Sequence, residues 1–111
     1  MRIRIPSREV CETFFLIYEL EGCQKAVDFL ARHYGVRRMK IVLDGRKVVR
    51  RARGCYFENS AYFTKRGLNK RFVLHEFYHH LVYLKELDIP SRIEEKDARS
   101  YAREFLRTQH S

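Results

Sequence analysis

The segment Phe72-Val-Leu-His75-Glu76-Phe77-Tyr78-His79-His80-Leu81 holds the residues of this chain best suited to chemistry. His75 and His79 are four apart, so on a helix both imidazoles leave one face a turn apart and can bind a single metal ion. Glu76, next to His75, is placed to take a proton from a water that the metal activates and to hand it on to a leaving amine. An HExxH pattern arises by chance in about 2% of shuffled chains of this composition. The flanks make it more selective, because positions 77 and 78 are uncharged, as a buried active-site helix requires. His80 falls ~140° round the helix from His75 and is expected to be structural.

A catalytic zinc takes three protein ligands and keeps one position open. The extended HExxHxxGxxH pattern is absent: Val82 stands at the glycine, and no histidine follows on that helix. The third ligand must come from elsewhere. Pro90 separates the HExxH helix from the next one, and Ser91-Arg-Ile-Glu94 has the spacing of a capping box. That box ties Glu94 back to the Ser91 amide and leaves Glu95 as the favoured ligand, with Glu94 as the alternative. The plainer reading is two acids stabilising a helix N-terminus with no metal involved. Ala98 and Ala102 follow Glu95, small residues that let the last helix approach the HExxH helix closely. His75, His79 and Glu95 make a borderline N/O donor set, for which zinc is the expected ion, one per chain.

The elements that must position these groups follow from periodicity. Val10, Phe14, Ile17, Val27, Leu30 and Ala31 give a helical pattern from about Ser7 to Tyr34, which Gly22 can split in two and Gly35 can end. Met39–Leu43, Asp44-Gly45 and Lys47–Val49 read as a two-residue hairpin. Cys55–Phe57 and Ala61–Phe63 flank a second turn at Asn59-Ser60. Three or four antiparallel strands are therefore expected, the last ending near Gly67, with Arg50-Arg51-Ala52-Arg53 on a solvated part of the sheet region. Asn69 caps the HExxH helix, which runs to about Leu87. The last helix buries Ala98, Tyr101, Ala102, Phe105 and Leu106. The expected class is α+β in one domain spanning residues 1–111, since there is no repeat and no linker composition.

Composition bounds the function. The chain has 111 residues, 45% hydrophobic and 14% aromatic, enough apolar side chain for one core and too much for a disordered segment. A formal net charge of +9, with sixteen Arg against seven Lys, favours anionic partners. A basic nucleic-acid-binding module without catalysis is the alternative function, although no recognisable DNA- or RNA-binding motif accompanies the charge. A metal-binding scaffold without turnover is a third. No apolar run approaches the ~20 residues of a membrane span, and the N-terminus is too polar for a secretory signal, so a cytoplasmic protein is expected. Cys11, Cys23 and Cys55 form no CxxC and are expected to be buried free thiols.

HExxH with a downstream helix carrying Glu-x-x-Ala resembles the gluzincin zinc peptidases, and most closely the minigluzincins, soluble archaeal miniatures of their catalytic cores. Asn59-Ser-Ala-Tyr-Phe63 is loosely similar to the Asn-Ala-Phe segment those cores carry on the strand before the active-site helix. The similarity covers roughly residues 56–106. It implies a zinc-dependent endopeptidase acting on peptides or unfolded protein, with Glu76 catalytic, His75, His79 and Glu95 on the metal, and Ala61, Tyr62 and Phe63 on an edge strand that holds extended substrate. Tyr101, Arg99 or Tyr78 could stabilise the oxyanion. One departure stands out: four residues after the ligand Glu the family carries an Asp that supports a ligand histidine, and this chain has Arg99. The resemblance also implies latency, with residues from about Leu106 to Ser111, including His110 and the terminal carboxylate, occupying the cleft of their own chain or exchanged between two copies in a homodimer.

Overall fold

The computed structural model describes residues 2–48 and 54–110. Among the described residues the architecture is α+β, with four α-helices and a small three-stranded sheet. Helix α1 (Arg8–Glu21) starts where the Ser7 hydroxyl accepts from the Val10 amide. It stops at Gly22, whose φ of 97° only glycine adopts without strain. Helix α2 (Cys23–Tyr34) follows at once and ends at a left-handed Gly35.

The sheet departs from expectation. Strands β1 (Lys40–Leu43), β2 (Gly54–Phe57) and β3 (Ser60–Phe63) lie in the order β1-β3-β2, with β1 parallel to β3 and β2 antiparallel to it. The sheet is thus mixed rather than antiparallel, and β3 ends at Phe63, short of Gly67. Asp44-Gly45 makes no hairpin: the Asp44 carboxylate accepts from the Arg46 amide and starts a 3-10 turn over Gly45–Lys47. Gln24 of α2 then takes one edge of β1, donating to the Met39 carbonyl and accepting from the Ile41 amide. The other edge of β1 pairs with β3. The second turn falls on Glu58-Asn59, both with positive φ, a tight connection one residue earlier than the Asn59-Ser60 expected. Arg50, Arg51 and Arg53 lie outside the described residues.

Helix α3 (Lys70–Leu84) is the centre of the molecule. The Asn69 side chain caps it by accepting from the Phe72 amide, and it ends three residues before Leu87. Val73, Leu74, Phe77, Tyr78 and Leu81 are fully buried. Helix α4 (Ser91–Arg107) packs along it through Ala98 and Ala102, whose small side chains permit the close approach. Phe14, Phe15 and Phe105 lock α1 onto α4 with edge-to-face ring contacts. Cys11 is buried, Cys23 and Cys55 are half-buried, and none of the three is in a disulfide. Among the described residues no helix is long and apolar enough to cross a membrane.

Among the described residues, the backbone of 106–110 does not enter the cleft described below. Leu106 and Arg107 finish α4, and Thr108–His110 form a 3-10 turn packed against α1, with Lys70 Nζ donating to Gln109 Oε1. The segment from Leu106 is thereby committed to the opposite end of α4 from Glu95. The His110 side chain and Ser111 lie outside what is described.

Candidate metal centre

Helix periodicity brings Arg71, His75, His79 and Tyr83 onto one face of α3, one turn apart. The first turn of α4 lies opposite. One Glu95 oxygen sits 3.1 Å from His75 Nε2 and the other 2.7 Å from His79 Nε2. The three donors lie within 4.8 Å of one another. His79 also turns its second nitrogen, Nδ1, to the Glu94 carboxylate. The donor set therefore fits a cation held by two imidazole nitrogens and a carboxylate, with its remaining side towards the open cleft.

Glu94 reaches His79 because the expected capping box does not form. Pro90 is the N-cap, its carbonyl accepting from the Ile93 and Glu94 amides, and no side chain caps the helix. Ser91 is thus already inside the helix and Glu94 is the fourth helical residue rather than the third. Its carboxylate faces α3 instead of turning back. Glu94 is not tied back to the Ser91 amide, and Glu95 is the acid that meets both Nε2 atoms. A carboxylate on the far nitrogen of a ligand histidine orients the ring and raises its basicity.

Glu76 is 7% exposed and has no hydrogen-bond partner among the described residues. Burial pushes its carboxyl up to about 7, opposed by His79 and reinforced by Glu95. Burial lowers the His75 imidazole, with Glu95 opposing and His79 and Arg99 adding to the fall. An unpaired carboxyl beside two histidines, tuned towards neutrality, is a mark of a functional site.

His80, adjacent in sequence, is different in kind. It is fully buried and carries a complete directional chain: the Asn59 amide donates to the Tyr56 hydroxyl, Tyr56 donates to His80 Nδ1, and His80 Nε2 donates to the Arg37 carbonyl. It is structural, as expected.

The cleft has a volume of about 910 Å³ and runs from β2 across His75, Glu76 and His79 towards Tyr83. The strand that borders it is β2, which among the described residues pairs on one side only. Ala61, Tyr62 and Phe63 are not at an edge. β3 is the central strand, paired on both sides, and Ala61 and Phe63 are fully buried. The expected oxyanion donors also lie elsewhere. Tyr101 is buried against the Tyr34 hydroxyl, and Tyr78 is buried against Asp97. Arg99 lines a side pocket rather than the cleft. Tyr83 is the half-exposed phenol of the cleft itself, and its four-residue step from His79 was the available signal.

No family model, curated protein or solved structure matches this chain.

Proposed function

We propose that this chain is a zinc-dependent endopeptidase of the gluzincin type. The observation that carries the proposal is the convergence of His75 Nε2, His79 Nε2 and Glu95 beside a buried, unpaired Glu76 on the floor of an open cleft. Zinc bound there supplies Lewis acidity, which activates water and polarises a peptide carbonyl.

The remaining tasks fall to the chain. His75 and His79 hold the ion through Nε2 and Glu95 through its carboxylate, while Glu94 keeps the His79 ring turned the right way. The outer edge of β2 offers backbone donors and acceptors to an extended peptide, which adds as a further strand. Glu76 accepts the proton of the attacking water and delivers it to the leaving nitrogen, a task suited to a buried carboxyl with no competing partner among the described residues. The Tyr83 hydroxyl donates to the oxyanion as it develops.

The test is hydrolysis of a casein-like unfolded substrate by zinc-loaded protein. Wild type is expected to cleave it, and Glu76→Gln to retain one zinc per chain while losing roughly 10²–10⁴-fold in rate. Equal rates in the two proteins, or a wild type that binds no zinc, would overturn the proposal.

A further inference from the structure

One turn away from the candidate ligands, each of the two helices carries an arginine. Arg71 precedes His75 by four residues on α3, and Arg99 follows Glu95 by four on α4. Both are exposed, and they line the same side pocket of about 390 Å³, which opens beside His75 and Glu76. Phe72 and Ala102 give this pocket an apolar wall.

Neither guanidinium has an acidic partner among the described residues. Glu95 is engaged by two imidazoles, and Glu76, the acid that lines the pocket, bonds to neither arginine. Two like charges flank one cavity with no ion pair to either among the described residues, an arrangement that favours an anion between them. The planar, bidentate guanidinium suits a carboxylate in particular. Helix rise places the arginines ~6 Å from the level of the metal ligands, about the reach of one side chain from the scissile bond.

We propose that the pocket between Arg71 and Arg99 binds a substrate carboxylate carried by a residue next to the scissile bond, either an acidic side chain or the carboxylate that ends a chain. This rests on the peptidase reading and gives it a substrate class. Peptides with an acidic residue at one fixed position are the preferred substrates, and Arg99, instead of supporting a ligand histidine, selects among substrates.

The experiment has two arms. In the first, zinc-loaded Glu76→Gln protein is titrated with labelled peptide pairs that differ only by Glu against Gln at each position in turn, and with pairs ending in a free carboxylate against an amide. A preference of roughly 10-fold for the carboxylate partner is expected at one position, as a pair of charge-assisted bonds gives. The preference should fall close to one in Arg71→Gln/Arg99→Gln and partly survive in Arg99→Lys. Whether the internal or the terminal pair shows it identifies the source of the carboxylate. In the second arm, wild type is given the same peptides and kcat/KM is compared within each pair. Ratios near one at every position in the first arm, or a preference that survives loss of both arginines, overturn the subsite. Carboxylate preference in binding with no cleavage of any peptide would instead refute the peptidase reading and leave the subsite standing.

Discussion

His79 and His80 are neighbours in sequence and differ in almost everything else. His79 faces carboxylates at both ring nitrogens, with Glu95 at Nε2 and Glu94 at Nδ1, at the rim of a cleft. His80, ~100° further round the helix, faces a tyrosine hydroxyl and a backbone carbonyl inside the core, and burial lowers its imidazole so that it stays neutral. The partners decide the role. Carboxylates converging on imidazoles at a solvent-facing rim can hold a cation, whereas neutral donors and acceptors in series tie α3 to β2 and to the loop after α2. The two adjacent acids on α4 divide in the same way, Glu95 towards both Nε2 atoms and Glu94 towards the far side of one ring.

The sharpest way to break this comparison is to remove each histidine in turn. His79→Ala is expected to lose the bound zinc and all hydrolysis, as is His75→Ala, because two donors remain where three are needed. His80→Ala should keep one zinc per chain but lose roughly 2–4 kcal/mol of stability, since it opens a cavity and strands the Tyr56 hydroxyl and the Arg37 carbonyl. Metal analysis and urea unfolding of the three variants read both halves. Zinc loss in His80→Ala with its fold intact would erase the distinction.

The acids sharpen it. Glu95→Ala should remove zinc to the same degree as the histidine variants, while Glu94→Ala should weaken affinity by about 10–100-fold through the loosened His79 ring. Zinc competition titrations separate the two. An unchanged affinity in Glu94→Ala would return that residue to a purely helical role.

A further effect is a pH dependence of the metal-free protein. Unfolded Glu76 releases its proton near 4.5 and the folded residue near 7. Between those values the folded state holds more protons, so stability falls as pH rises and the loss is complete above about 7, at most ~3 kcal/mol. His75 and His80, both lowered by burial, act in the opposite direction, their contribution lost as pH falls below 6.5. Subtracting the unfolding profile of Glu76→Gln from that of wild type, from pH 4.5 to 8, isolates the first trend. A flat difference would show that Glu76 is not held in a low-dielectric site.

The same contrast between local and non-local determinants explains what can be read from the chain. Helical phase and end signals suffice for Gly22, Gly35 and Asn69, and for the shared face of His75 and His79, because each depends on residues within a turn or two. The sheet depends on distant partners. Nothing near Asp44 indicates that Gln24 will occupy one edge of β1, or that β1 will run parallel to β3 with β2 on the far side. Ala61, Tyr62 and Phe63, expected on an edge strand, accordingly lie on the central one. The first turn of α4 was misread by a single residue, because Pro90 and not Ser91 is the N-cap, and one residue is 100° of rotation. That step takes Glu94 from a cap to a partner of His79. Glu95 meets both Nε2 atoms although no capping box ties up Glu94.

On the proposed function, one zinc ion sits between α3 and α4 on His75, His79 and Glu95. X-ray absorption at the zinc edge of the loaded protein tests it most directly, because Cys55 also lines the cleft and would leave its own signature. The account requires a light-atom shell at ~2.0–2.1 Å containing two imidazoles and no sulfur. A sulfur shell at ~2.3 Å, or a spectrum with a single imidazole, would contradict it.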